Sequence, residues 1–192
     1  MAILPDYALP KGSADMTLFG TRNDDATDTL PLMEFSFMYG GNSVNRIYAS
    51  GNTWLGFGAA TEHLAINRRD TSYNNLFYAH ERVNGYNTYR IRFEGNAVYN
   101  SWNSNNLVWE FTVFEDGVFM LVVEKTPNTA SDSFNAQGAV VSVRFETGKS
   151  YVFTPGTADG KNFTVTEGSY LPCVNKYLML DGEGLKSYMD GV

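Results

Sequence analysis

The chain of 192 residues is long enough for one large domain, or for one domain with an arm and a small tail module. Hydrophobic residues make up 43% and aromatics 15%, enough for a core. Charged residues are only 18%, below the usual quarter or so, and polarity comes from Asn, Thr, Ser and Gly, which suit turns and flat hydrogen-bonding surfaces. The net charge of −7 argues against a nucleic-acid backbone partner, which needs clustered Lys and Arg, and against an anionic membrane surface.

Cys173 is the only cysteine, so no intrachain disulfide can form. The opening MAILPDYALPKG shows no basic segment followed by an apolar stretch, and no window reaches the length of a membrane-spanning helix. The expectation is synthesis in a cytoplasm, with release by lysis, by assembly or by way of a signal since removed if the protein acts outside.

In chain order, residues 1–30 lack periodicity. Pro5 and Pro10 break regular structure and RNDDATD, from Arg22 to Asp28, is an acidic turn, so this stretch is read as an extended arm that wraps a neighbour or lies on its own sheet. From Leu32 the pattern changes. Phe35, Phe37 and Tyr39 alternate as in a strand, and Gly40, Gly41 and Asn42 turn the chain. Strands follow at 47–50 and 54–57, joined by Gly51-Asn52, with Gly56 and Gly58 marking a bulge or a close backbone approach. Residues 59–75 are the least strand-like and suit a loop or one helical turn.

Strand character returns at 76–80, with Asn84-Gly85 as a tight turn. Over 89–94, Tyr89, Ile91 and Phe93 face inward while Arg90, Arg92 and Glu94 face out. A polar aromatic loop then leads to the strongest hairpin signal, LVWEFTVFE-DG-VFMLVVEK. A two-residue type I′ turn at Asp116-Gly117 pairs Phe114 with Phe119 and Phe111 with Val122. Both faces of this hairpin are apolar, so it belongs at the centre of a sandwich or against another subunit. Residues 140–146 and 150–154 make a further pair, 162–166 one more strand, and KYLMLDGEGLKSYMDGV a small hairpin at the end. The fold expected is an all-β, antiparallel, jelly-roll-like sandwich over 31–172, with the arm before it and a hairpin tail over 173–192.

Chemistry is sparse. His63 and His80, with Glu62, Asp70 and Glu81, match no metal-ligand spacing. No nucleophile elbow, phosphate loop or dinucleotide fingerprint is present, and no carboxylate pair stands out for glycoside hydrolysis. Asp24, Asp25 and Asp28 resemble no calcium loop and read as a solvated turn. No catalytic residue, cofactor or metal is expected. The candidates that remain are contact residues. Tyr99, Trp102, Asn103, Asn105 and Asn106 in YNSWNSNN, with Tyr86 before them, mix aromatic faces with amides, which suits a glycan, a wet protein interface, or turns whose aromatics tuck back onto the core.

Residues 47–70, IYASGNTWLGFGAATEHLAINRRD, followed by YRIRFEGNAVYN and the hairpin WEFTVFEDGVFML, resemble a β-domain of phage and prophage structural proteins of Firmicutes. The likeness spans about 35–125 and the last fifteen or so residues, and implies a tail or fibre role with no enzyme activity and no defined receptor residues. Asn67, Arg68, Arg69 and Asp70 are read as pinning a loop, with the arginines forking onto neighbouring carboxylates and carbonyls. The function expected is a non-enzymatic structural or attachment component of a phage-like particle. It would bind other virion proteins, form homo-oligomers and contact a host-surface glycan. The alternative is a lectin-like carbohydrate-binding module of a secreted or cell-surface protein.

Overall fold

Alternating side chains assign one face of each strand to a core, and the turns decide which strands become neighbours. The computed structural model describes residues 11–67, 69–99, 102, 104–127, 132–135, 140–141, 143–170, 179–181 and 184–186, and all its regular elements are strands. They are β1 (Thr17–Asn23), β2 (Thr27–Thr29), β3 (Phe37–Tyr39), β4 (Asn42–Val44), β5 (Ile47–Ser50), β6 (Trp54–Phe57), β7 (Leu64–Ala65), β8 (Ser72–Val83), β9 (Tyr86–Asn96), β10 (Leu107–Phe114), β11 (Phe119–Lys125), β12 (Ser133–Asn135), β13 (Val140–Val141), β14 (Ser150–Thr154), β15 (Thr164–Glu167), β16 (Met179–Asp181) and β17 (Gly184–Lys186).

Seven strands form one antiparallel sheet in the order β1-β8-β9-β10-β11-β14-β15, and six form a second in the order β13-β12-β7-β6-β5-β2. The chain is thus an all-β sandwich. The likeness to a jelly roll extends to the two layers and not to the strand order, since β8 to β11 are a meander. The ribbon of β16 and β17 is the expected hairpin around DGEG. Residues 1–10 lie outside the described residues. The rest of the segment read as an arm lies on its own sheets: β1 is an edge of the large sheet beside β8, and β2 an edge of the small sheet beside β5.

The sheets meet through aromatic rings. Phe57 of β6 stacks on Phe111 of β10 at 5.6 Å and lies 5.1 Å from Phe119 of β11, while Phe134 of β12 meets Phe153 of β14 edge-on at 4.8 Å. Trp109 and Phe93 stack at 5.3 Å within the same core.

Several local expectations change. No helical turn occurs among the described residues of 59–75; β7 and the first residues of β8 occupy part of that stretch. Among the described residues, 140–146 do not pair with 150–154: β13 pairs with β12 in the small sheet, while β14 lies between β11 and β15 in the large one. The tight turns divide by residue type. Asn84 and Gly85 both take positive φ, 48° and 81°, and join β8 to β9 as a two-residue loop. At the second hairpin only Gly117 does, at 84°. Gly117 N donates to Phe114 O at 2.9 Å and Phe114 N to Val118 O at 3.0 Å. This is a three-residue loop with a bulge, because Asp116 does not adopt the left-handed backbone that a type I′ turn demands. The register therefore shifts by one, to Val113 opposite Phe119 and Phe111 opposite Leu121.

The second apolar face of that hairpin is covered by its own chain. Val83, Phe114, Met120 and Val122 form a small buried cluster with Tyr170 against it. Beside them Arg90 and Arg92 point away from the main core, as alternation requires. They are not solvent-facing as expected, being only 2% and 6% exposed. Residues 11 and 12 cross over them. The Glu110 carboxylate accepts hydrogen bonds from Lys11 N at 2.9 Å, Gly12 N at 2.7 Å and Arg92 Nη1 at 2.8 Å, and Arg90 Nη1 donates to Gly12 O at 2.9 Å. Arg90 also forks onto Glu81, and Arg92 reaches Glu94 and Glu124. Burial works to raise the Glu81 carboxyl, but Arg90 and Lys11 hold it below the usual carboxylate range.

Removing the buried acceptor leaves both guanidinium groups and two backbone N–H donors without it, so Glu110→Ala should lower stability by about 3–5 kcal/mol in urea denaturation.

Candidate functional site

One turn builds a concave part of the surface. Between β5 and β6 the chain reads Gly51-Asn52-Thr53-Trp54. Gly51 N donates to Ala26 O at 3.0 Å, and the acidic turn packs so closely that a Cβ on Gly51 would overlap the Asp24 carbonyl. Asn52 spans two loops: its Oδ1 accepts from Thr71 N at 3.1 Å and its Nδ2 donates to Asp25 Oδ1 at 3.3 Å. Thr53, fully buried at φ 57°, shares a 2.8 Å hydroxyl contact with Thr71 and accepts from Ile66 N at 3.1 Å. Asn52 and Thr53 thus lock residues 24–26 and 66–71 onto one hub.

Of the expected loop pins Asn67, Arg68, Arg69 and Asp70, the described contacts are made by Asn67 and Asp70. Asn67, buried at φ 52°, donates its backbone N–H to Asp132 Oδ1 at 2.6 Å and its side-chain amide to Ala97 O at 3.2 Å. Asp132 also accepts from Phe145 N at 2.8 Å; burial pushes its carboxyl up, against the pull of those two N–H groups. The Asp70 carbonyl accepts from Tyr99 N at 2.8 Å. Arg69 is exposed and makes no ion pair among the described residues, and Arg68 lies outside them. Among the described residues the loop is held through Asn67, whose short polar side chain tolerates left-handed backbone.

The result is an open cleft of about 680 Å³. Trp54 and Asn52 from the β5–β6 turn line it, with Asp24 and Asp25 from the acidic turn, and Glu62, Arg69, Asp70 and Tyr99. Trp54 points away from the core because its strand neighbours Leu55 and Phe57 are buried. Tyr99 is 45% exposed, beside Val98 at 58%. Of the residues singled out from sequence, the cleft gathers Arg69, Asp70 and Tyr99. Trp54, Asn52 and Glu62 were missed as contact residues. The signal for Trp54 was the outward parity of an aromatic in a strand otherwise directed at the core.

The other contact candidates are dispersed. Trp102 and Asn105 line a second depression with Thr21, Arg22, Asn74 and Asn75. Asn105 Oδ1 accepts from Asn74 at 2.5 Å, and Asn106 Oδ1 accepts from Ala97 N at 2.8 Å, so both amides tie the loop to the sheet. Asn103 lies outside the described residues. Tyr86 is 7% exposed at the β8–β9 turn, the other end of those strands from Tyr99. Asp28 accepts from Tyr73 OH at 2.5 Å and Asn23 at 2.8 Å, and no group of three or more His, Cys, Asp or Glu suited to a metal ion occurs among the described residues.

The two histidines have separate surroundings. His80 meets Tyr89 edge-on at 4.9 Å. His63 stacks on Phe57 at 5.6 Å and its Nδ1 accepts from Phe57 N at 2.9 Å, so that nitrogen carries no proton; burial lowers its pKa. Comparison with protein-family models, curated proteins and solved structures finds no match to this chain.

Two outcomes are expected. Gly51→Ala forces the acidic turn outward and should cost about 1–3 kcal/mol, read as a drop in the denaturation midpoint. For His63, the unfolded chain takes up a proton near the ordinary 6.5 while the folded chain resists it. Its share of stability is therefore complete above that pH and is lost as pH falls through the lowered folded value. His63→Gln should flatten the difference in urea midpoint between about pH 7.5 and about pH 5.5.

Proposed function

We propose that this chain is a non-enzymatic attachment component of a bacteriophage or phage-like particle, making its contact at the end of the sandwich where the cleft opens. The observation that carries the contact is the cleft itself, a concavity of about 680 Å³ lined by Trp54, Tyr99 and an Arg69 that makes no ion pair among the described residues. Rigid aromatics with adaptable polar neighbours are the usual material of recognition surfaces. The particle context rests on the resemblance of GNTWLGFG and NRRD to phage structural domains. The hub and the buried loop asparagine give those motifs a physical role in holding the cleft. Other particle proteins and further copies of this chain are its partners, and the assembled particle is its location.

A second reading, a lectin-like module of a secreted or surface protein, draws on the same cleft. The two part on incorporation. Particles assembled with a tagged chain should carry it, and a double Trp54→Ala, Tyr99→Ala variant should still be incorporated yet lose attachment to host cells. A stable monomer that enters no particle and binds no cell overturns the attachment reading.

A further inference from the structure

We propose that the cleft binds a saccharide lacking acidic groups, with Trp54 and Tyr99 as its stacking surfaces. This rests on the reading that this end of the molecule makes the contact. The two aromatics reach the cleft from different sheets, Trp54 on β6 and Tyr99 just beyond the end of β9. Trp54 makes no ring contact with another aromatic among the described residues, and Tyr99 is nearly half exposed, so both retain free surface. A pyranose presents C–H faces to such rings and hydroxyls at its rim.

The rim chemistry matches hydroxyls. Asp24 Oδ1 accepts from Asp25 N at 2.7 Å and Asp25 Oδ1 from Asn52 at 3.3 Å, leaving the second oxygen of each carboxylate without a partner among the described residues. Asp70 engages only its backbone carbonyl there. These acceptors line the same cleft as the guanidinium of Arg69, a planar group of five donors. A hydroxyl both donates and accepts, and so satisfies the two kinds of group together. The walls are also preorganised: Asn52, Thr71, Asn67 and the Tyr99–Asp70 backbone bond hold them.

Charge sets the selectivity. Among the described residues four carboxylates, from Asp24, Asp25, Glu62 and Asp70, line the cleft with one guanidinium, so a uronate or phosphorylated sugar meets repulsion while neutral or amino sugars do not. A protein segment fits less well, because an anchoring side chain needs a desolvated apolar pocket and the apolar surface here is two ring faces.

The test is titration of the intact chain with tetrasaccharides of glucose, N-acetylglucosamine, glucosamine and galacturonic acid, followed by calorimetry and tryptophan fluorescence. At least one of the first three should bind saturably, and the galacturonate roughly tenfold or more weaker. Trp54→Ala and, separately, Tyr99→Ala should weaken binding by roughly tenfold or more with unchanged circular dichroism. Trp102→Phe, in the neighbouring depression, should leave it unchanged. The inference falls if none of the three sugars binds, if galacturonate binds as well as they do, or if both ring deletions are silent. Saturable uptake of octalysine in place of every sugar would reassign the cleft to a basic protein segment. Host-cell attachment without binding of any tetrasaccharide overturns this inference alone; saccharide binding without incorporation or attachment overturns the particle reading alone.

Discussion

The contact of Phe57 with Phe111 and Phe119 joins the small sheet to the large one, and the rest of the molecule is arranged around it. Large aromatic rings in stacked and tilted contact remove much apolar surface from water and set the spacing of the layers. Phe57 also receives Phe37, Tyr39 and His63, so the β3–β4 ribbon and the loop before β7 close on the same point. Trp54 lies on the same short strand, on its opposite face. Whatever holds Phe57 in the core also holds Trp54 at the cleft, and it fixes the small-sheet wall relative to the wall built from the end of β9.

The outer face of the large sheet follows a different principle. There, buried charge is balanced by buried charge: Glu110 joins Arg92 and the backbone of residues 11 and 12, and Arg90 joins Glu81. Such a network adds little to stability compared with apolar packing, yet it tolerates no missing member. With the adjacent Phe114, Met120 and Val122 covered as well, this face no longer requires a second subunit to hide it. At the end of the sandwich, by contrast, Tyr99 and Val98 stand out from the surface.

Much of the fold was legible because it depends on local chemistry. The alternation Tyr89, Ile91, Phe93 against Arg90, Arg92 named the core face of β9, and Asn84-Gly85 announced a two-residue turn because both residues accept left-handed backbone. The hairpin register was misjudged by one residue, since Asp-Gly suits either a type I′ turn or a type I turn followed by a bulge, and packing chooses between them. The β13 pairing was hidden for a related reason: a strand of two residues has no period of its own, and its partner β12 belongs to the other layer.

The cleft divides along the same line. Of the residues that build it, Gly51 and Asn52 could be read in the sequence as a turn, and Asn67 and Asp70 as part of the NRRD loop, because turn-forming and short polar side chains mark such segments locally. The alternating strands, the turn residues and the absence of familiar catalytic motifs could likewise be read from the sequence by itself, being set by spacing along the chain. That Asp24, Trp54, Arg69 and Tyr99 face one space, while Trp102 and Tyr86 do not, was decided only by the tertiary structure. Residues far apart in the chain meet there because two sheets close on a shared aromatic core, and distance along the chain carries no record of that closure.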